Sequence, residues 1–217
     1  MKNSQKTNEQ NNDNLSATTH RRKTISLLCT LLICSALFLD CNRHQTDSNT
    51  YLQNQINWAQ RLELPGLPNF YKVSDDLYRG GQPTAEGMIQ LKELGIKTIV
   101  NLRSTHSDRD ELGETGLACK HIKMTTWNTH TEDAVRFLRI VTDSNCTPVF
   151  VHCKHGSDRT GTMCAIYRIT VQGWSKNQAI EEMTKGGFGF HRIWNNLVKY
   201  VRKLDIEQIK QNAGLNE

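Results

Sequence analysis

Hydrophobic and polar residues follow two different periods along the chain from about residue 62 onward. Short runs of apolar and β-branched residues are typical of buried strands, and they cover residues 72–73, 77–79, 96–102, 119–125 and 148–152. Apolar residues on one side of a 3.6-residue period predict helices over residues 84–94, 131–143, 160–171, 175–184 and 193–211, and a shorter helix is expected near residues 108–114. Because strands alternate with helices, we expect an α/β domain with a mostly parallel central sheet flanked by helices.

The stretch P-V-F-V-H-C-K-H-G-S-D-R-T-G, residues 148–161, joins a predicted strand to a predicted helix. The backbone N–H groups of such a loop and the positive end of the helix dipole together attract an anion. Cys153 at the centre of those amides can act as a thiolate nucleophile. Arg159 offers a planar fork for two phosphate oxygens, and Gly156 lets the backbone turn inward. With the Thr160 hydroxyl near the sulfur to help it depart, these residues predict phosphoryl transfer to cysteine and then to water.

This motif, His152-Cys153-(five residues)-Arg159-Thr160-Gly161, resembles the signature of the protein tyrosine and dual-specificity phosphatase superfamily. The run L-Y-R-G-G-Q-P-T at residues 77–84, followed by L-K-E-L-G-I-K-T-I-V-N-L-R-S at residues 91–104, is similar to the opening of atypical dual-specificity phosphatases. The resemblance covers nearly all of residues 70–200. It implies one phosphatase domain, a cysteinyl-phosphate intermediate, and no need for a metal or another cofactor.

The predicted reaction divides the loop into catalytic and substrate-binding residues. Cys153 attacks phosphorus while Arg159 and the amides of residues 154–159 hold the equatorial oxygens. The positions expected to contact substrate are Lys154, His155, Gly156, Ser157 and Thr160. Lys154 and His155 are potential cations around the pocket, and Asp158 is an anion. These charges suit phosphotyrosine or phosphoserine/threonine proteins, and they equally suit an inositol phosphate or lipid head group. Both substrate classes remain open. A phosphate-binding pseudophosphatase is the less favoured alternative.

Three other interpretations of these residues are weaker. Cys153 could be an inert core cysteine at the end of a strand. A zinc site built from His152, Cys153, His155 and Cys164 lacks the paired C-x-x-C spacing of such sites, so no metal site is predicted. Arg79 and Arg103 are either solvated surface charges or, as in the family, arginines near the rim of the pocket.

The general acid is ambiguous in the sequence. The superfamily usually supplies an aspartate about thirty residues before the cysteine, but the position after Trp127 holds Asn128, and an amide cannot donate that proton. Asp158 is favoured because it is fixed in the loop beside Arg159. Loops with Asp before Arg resemble those of the inositide-directed, myotubularin-like branch, where this aspartate has been proposed as the acid. A purely loop-shaping role for Asp158 is the alternative, and His130 and Asp133 remain candidates.

The first 61 residues lack the pattern of a folded domain. Residues 1–23 are polar, end in Arg21-Arg22-Lys23 and read as a disordered basic leader. Residues 24–39 carry no charge, which favours a secretory signal peptide or a membrane anchor, although sixteen helical residues span only about 24 Å of a ~30 Å bilayer core. A lipoprotein signal fits less well, because Asp40 precedes Cys41 where a small residue would be needed.

These features predict a division into leader (1–23), signal or anchor (24–39), linker (40–61), phosphatase domain (62–210) and tail (211–217). The basic residues before the apolar run favour an enzyme on the extracytoplasmic side, membrane-anchored or secreted to the periplasm. An oxidising compartment conflicts with a cysteine that must stay reduced. Five basic and two acidic residues in positions 1–23 supply +3 of the formal net charge of +5, so the charge does not indicate a nucleic-acid partner.

Overall fold

A six-stranded sheet runs through the part of the chain that the computed structural model describes, residues 58–215. The predicted leader, the apolar segment and the linker up to residue 57 lie outside the described residues, as do residues 216–217. The strands are β1 (Gln60–Arg61), β2 (Tyr71–Lys72), β3 (Leu77–Gly80), β4 (Thr98–Asn101), β5 (Ala118–His121) and β6 (Val149–His152).

The strand order is β1-β2-β3-β6-β4-β5, and β3, β6, β4 and β5 are parallel to one another. β2 is antiparallel to β3, because the turn at residues 74–76 sends the chain back, and β1 at the edge pairs antiparallel with β2. The predicted parallel centre is therefore present, but the whole sheet is mixed.

Helices cover both faces of the sheet, as the sequence predicts. They are α1 (Ala85–Glu93), α2 (Arg109–Leu112), α3 (Thr131–Val141), α4 (Asp158–Thr170), α5 (Lys176–Lys185), α6 (Asn195–Lys203) and α7 (Ile206–Ala213). The predicted single helix over residues 193–211 is wrong. A 3-10 turn at Arg192–Trp194 leads into α6, and the Asp205 side chain accepts the N–H of Gln208 and starts α7 as a separate helix. Within residues 58–215, no helix combines the length and the apolar character needed to cross a membrane.

Two hydrophobic cores lie on opposite faces of the sheet, because successive strand residues point to opposite sides. Ile99 and Phe150 pack with Met88 and Leu91 of α1 on one face. The other face packs against α3, α4, α6 and α7, and its strand residues include Val100, Val149 and Val151. The central strands β4 and β6 are thus buried on both faces and read as continuous apolar runs.

A buried ion pair fastens α4 to α5. Arg168 donates from Nε to Glu182 Oε2 at 2.8 Å and from Nη2 to Glu182 Oε1 at 2.6 Å. The same guanidinium donates to the Val73 carbonyl at 3.2 Å, and Glu182 Oε1 accepts the Ala59 N–H at 2.7 Å. Two charged side chains thereby bind the beginning of the described chain to the helix that follows the predicted catalytic loop.

Candidate active site

The loop from Cys153 to Ser157 leaves the carboxyl end of β6, between its parallel neighbours β3 and β4, and enters α4. Ligands of open α/β sheets bind at this edge. The Cys153 side chain is almost enclosed, with the residue only 2% exposed. The loop is held against the end of β3, where the Gln82 N–H donates to the Lys154 carbonyl at 3.2 Å.

Gly156 is required by the contact between this loop and the chain after β3. Its φ of +75° lies in the left-handed region. A Cβ at this position would lie 2.5 Å from the Gly80 carbonyl carbon and 2.6 Å from the Gly81 nitrogen. Both atoms belong to the backbone, so a side chain could fit only if the loop moved away from the sheet.

Two buried polar atoms in the first turn of α4 find no hydrogen-bond partner among the described residues. They are Nε of Arg159 and the hydroxyl of Thr160. Arg159 also donates from Nη1 to the Met124 carbonyl at 3.4 Å, which ties it to the loop at residues 124–130. Buried polar atoms in native proteins are nearly always paired, so two unpaired ones in the first turn of α4 support an anion site at this helix N-terminus.

Arg79 supports the loop from behind. It is 1% exposed, donates from Nη2 to the Gly156 carbonyl at 2.6 Å, and its guanidinium carbon lies 3.7 Å from the ring centroid of Phe188. Arg79 is therefore neither a surface charge nor a rim residue, the two roles that the sequence offered. Arg103 is half-buried and donates from Nη1 to Gln82 Oε1 at 3.0 Å.

Asp108 is a residue that the sequence analysis missed. The His152 ring is fully buried, and its Nε2 lies 2.9 Å from Asp108 Oδ2, while Gln82 donates to Asp108 Oδ1 at 2.9 Å. Burial acts to raise the pKa of Asp108, but hydrogen bonding to His152 and its charge outweigh burial and bring the pKa below its ordinary value. A buried histidine needs a hydrogen-bond partner for its ring. The position of His152 before the cysteine was therefore the one feature of the sequence that could have indicated a residue such as Asp108.

The segment of residues 186–191, a second feature that the sequence analysis missed, closes one side of the loop. The Asn69 amide donates to both the His155 and the Phe188 carbonyls at 2.9 Å, which joins the loop to the segment. Asp158 binds the end of the segment, because its Oδ1 accepts the His191 N–H and its Oδ2 lies 2.9 Å from His191 Nδ1. A groove of about 370 Å³ separates the loop from the segment, and His155, Phe188 and His191 are among its lining residues.

The three predicted acids occupy different surroundings. Both oxygens of Asp158 are engaged by His191. His130 Nε2 lies 3.0 Å from the amide of Asn128, the residue at the position where the family's acid is expected. Asp133 is buried in the first turn of α3, and burial raises its pKa. Proton donation by each of the three stays a prediction.

The predicted substrate-binding positions differ in exposure. Lys154 and His155 are exposed, whereas Ser157 and Thr160 are buried. In the loop of residues 124–130, which Arg159 contacts, Trp127 is 72% exposed and its ring stands 6.5 Å from the ring of Trp194. Charge and aromatic surface are thus both available around the loop.

Among the described residues, one group of side chains has the composition of a metal site. His106, Asp108 and Glu111 bring ligand atoms within 4.8 Å of one another. Most of their atoms are partnered already, since His106 Nε2 lies 3.0 Å from Glu111 Oε1 and Asp108 is bound to His152, whereas the buried Glu111 Oε2 has no partner among the described residues. We interpret the group as the ion-pair network that supports His152.

Cys164 differs chemically from Cys153, although both are free and buried. Cys164 lies within α4, and burial raises its pKa to about 11. Its thiol therefore stays protonated at neutral pH and cannot serve as the nucleophile. Cys153 lies instead at the start of the loop that enters α4, whose backbone amides form the predicted cradle.

A buried cysteine and an arginine in a strand–loop–helix anion cradle, at the carboxyl edge of parallel strands, define a cysteine-dependent phosphatase. Comparison with known families gives the same class of enzyme and also a specific family within it. Residues 67–198 match the family described as "DSP-PTPase phosphatase fused to NAD+ Kinase", and the chain belongs to this family. The phosphatase activity expected from the sequence is confirmed.

Two curated proteins and two solved structures illustrate the relationship. The chain is 35% identical over 159 residues to the dual specificity protein phosphatase TpbA of Pseudomonas aeruginosa (strain UCBPP-PA14), which covers 70% of this chain and 69% of TpbA. It is 28% identical over 155 residues to inositol diphosphatase DSP5 of Arabidopsis thaliana, covering 66% and 73% of the two chains. The crystal structure of P. aeruginosa TpbA superposes with a TM-score of 0.66 at 34% identity, over 73% of this chain and 97% of the other. The Siw14 catalytic core, at 24% identity and a TM-score of 0.62 over 71% and 95%, shares the fold.

Proposed function

We propose that this phosphatase hydrolyses phosphomonoesters through a cysteinyl-phosphate intermediate on Cys153. The observation that carries the proposal is the pair of unpartnered buried groups, Arg159 Nε and Thr160 Oγ1, in the helix turn that follows the cysteine loop. In the first step, Sγ of Cys153 attacks phosphorus while the amides of residues 154–159 and Arg159 hold the equatorial oxygens. In the second step, water attacks phosphorus, and Thr160 assists the sulfur as it leaves.

The leaving oxygen must also receive a proton. The sequence favours Asp158, which lies in the loop itself, over His130 and Asp133. Because both Asp158 oxygens are engaged by His191, we assign the contribution of Asp158 to the Asp158–His191 pair rather than to the carboxyl group alone.

We propose phosphoproteins as the first substrate class. The exposed ring of Trp127 supports this, because it lies in the loop that Arg159 contacts through the Met124 carbonyl, where an aromatic side chain can pack against the ring of a phosphotyrosine. Crystals of TpbA in complex with pTyr, at 33% identity, are consistent with it. The second class is inositol or lipid phosphates, which the exposed Lys154 and His155 favour by offering positive charge beside the cradle, and which matches the name of the Arabidopsis relative.

The covalent mechanism is tested by Cys153→Ser, with Cys146→Ser as the matched control. Cys146 is a half-buried thiol whose Sγ contacts Asp143, outside the loop. We expect Cys153→Ser to abolish turnover and to keep vanadate binding, because the cradle consists mainly of backbone and Arg159. The control should keep full activity. A Cys153→Ser enzyme with more than about a hundredth of the wild-type rate would contradict the mechanism.

A substrate panel separates the two classes. It should contain p-nitrophenyl phosphate, phosphotyrosine and phosphoserine peptides, and inositol phosphates. A preference for peptides supports the first class, and a preference for inositol phosphates replaces it by the second. Binding of vanadate without turnover of any member would instead identify a pseudophosphatase.

We also propose that residues 1–39 bring the domain to the extracytoplasmic side, either anchored in the membrane or released into the periplasm. The basic residues followed by an uncharged apolar run support this proposal. An alkaline-phosphatase reporter fused after residue 60 should be active only outside the cytoplasm. An inactive reporter together with a fluorescent cytoplasmic fusion would overturn it.

A further inference from the structure

The residue at the position where the family usually has its acid, after Trp127, is not acidic in this chain. Asn128 follows Trp127, and its amide lies 3.0 Å from Nε2 of His130, so that ring nitrogen is already engaged. Asp133 follows His130 in the sequence and is buried within the first turn of α3. These surroundings favour a proton donor for the leaving group from another side of the loop.

The segment of residues 186–191, which lies against the loop, carries a histidine whose orientation is fixed. The Asp158 side chain is only 9% exposed, and it binds His191 twice, through the backbone N–H and through Nδ1, each at 2.9 Å. The His191 side chain is 51% exposed, and its Nε2 has no hydrogen-bond partner among residues 58–215. A carboxylate on one ring nitrogen fixes the tautomer and orientation of an imidazole and stabilises its charged form during proton transfer.

Two further bridges, through Asn69 and through Arg79, hold the segment that carries this ring against the loop. Asn69 bridges the loop to the segment of residues 186–191. Phe188 lies against the guanidinium of Arg79, which itself holds the Gly156 carbonyl. Asp158, which orients His191, directly precedes Arg159 in the chain, and Arg159 is the residue expected to bind phosphate.

We propose that His191, oriented by Asp158, is the general acid of the reaction, an inference that rests on the proposed function. As Sγ attacks, the bond between phosphorus and the leaving oxygen breaks, and the proton on His191 Nε2 passes to that oxygen. Nε2 then accepts a proton from the water that attacks the phosphocysteine. The S–P bond breaks with its electrons returning to sulfur, and both the thiolate and the protonated imidazole are restored. His191 is the catalytic residue in this step, and Asp158 is its positioning residue.

The experiment compares His191→Gln with His155→Gln in the full-length protein. His155 is the matched control, because its ring lies in the same groove, 5.9 Å from that of His191, but is not bound to a carboxylate. The substrates are p-nitrophenyl phosphate, phenyl phosphate and an alkyl phosphate, which form a series of increasingly poor leaving groups. A proton donor matters in proportion to how poor the leaving group is.

We expect His191→Gln to lose less than about threefold on p-nitrophenyl phosphate and about a hundredfold or more on the alkyl phosphate. His155→Gln should lower all three rates by a similar factor. Asp158→Asn should show the same dependence on the leaving group as His191→Gln. The double variant should be no steeper than the single ones, because the two residues act as one unit.

Two results would overturn the proposal. One is a loss by His191→Gln that is equal across the series, which would make His191 a structural residue; the other is no loss at all. Vanadate affinity close to that of the wild type certifies that the cradle is intact, and if His191→Gln loses it, His191→Phe, which keeps the volume of the ring, takes its place. An active Cys153→Ser enzyme would instead refute the proposed function, so the two failures are distinguishable.

Discussion

Replacing Gly156 by alanine tests whether the geometry of the cradle depends on its close contact with the chain after β3. The new Cβ would meet the Gly80 carbonyl carbon at 2.5 Å, whereas ordinary van der Waals contact begins at 3.4 Å. The loop must therefore move by about 0.9 Å. A misplacement of about 1 Å in an active site costs on the order of a hundredfold in rate, and the left-handed φ adds about 1 kcal/mol of strain.

Gly173→Ala is the matched control for this prediction. Gly173 has a φ of +71°, close to the +75° of Gly156, but a Cβ there meets nothing within 4 Å. Both variants should lose about 1 kcal/mol of stability from the backbone strain, and only Gly156→Ala should lose activity and vanadate affinity. The assays are kcat/KM on p-nitrophenyl phosphate, vanadate titration and urea unfolding. If Gly156→Ala keeps more than a tenth of the wild-type kcat/KM, the contact with Gly80 does not set the position of the loop.

The remaining predictions concern stability. Glu182→Gln should cost about 3 kcal/mol in urea unfolding, because it leaves the buried Arg168 without its charged partner, whereas Glu181→Gln, which affects an exposed pair, should cost less than about 0.5 kcal/mol. Equal costs would contradict the role of the buried pair. Asp108→Asn should cost about 2 kcal/mol at pH 7. Since the pKa of Asp108 is lowered in the folded protein, its contribution is present above about pH 4 and is lost as the pH falls further, so the difference should shrink at pH 3. A difference that does not change with pH would show that the ionised carboxylate is not what stabilises the fold.

The sequence predicted those parts of the molecule whose residues are neighbours along the chain. The strand, loop and helix of residues 148–161 form one continuous stretch, and the period of their apolar residues and the glycine were enough to predict the cradle. The supporting residues were not predictable in this way. Arg79 is 77 positions from Gly156, Asp108 is 44 from His152, and His191 is 33 from Asp158.

The helical period failed where a local side chain competed with it. Residues 193–211 carry apolar residues at helical spacing, but Asp205 caps a new helix within that run. Strand β1 at the edge of the sheet was not predicted, whereas a strand at residues 72–73 was expected and β2 lies at Tyr71–Lys72. β1 is two residues long, which is too short for a pattern of alternation to appear.

The long-range bonds around the loop have a consequence for the order of folding. Asn69 bonds to Phe188, 119 residues away, and the Ala59 N–H bonds to Glu182, 123 residues away. Contacts between distant parts of a chain form late, because the intervening loop must first close. A chain still attached to the ribosome would therefore lack a finished cradle until residues 186–191 have emerged and docked. During refolding, vanadate binding should return together with the last phase of tryptophan fluorescence, and an earlier return would show that the loop assembles without these contacts.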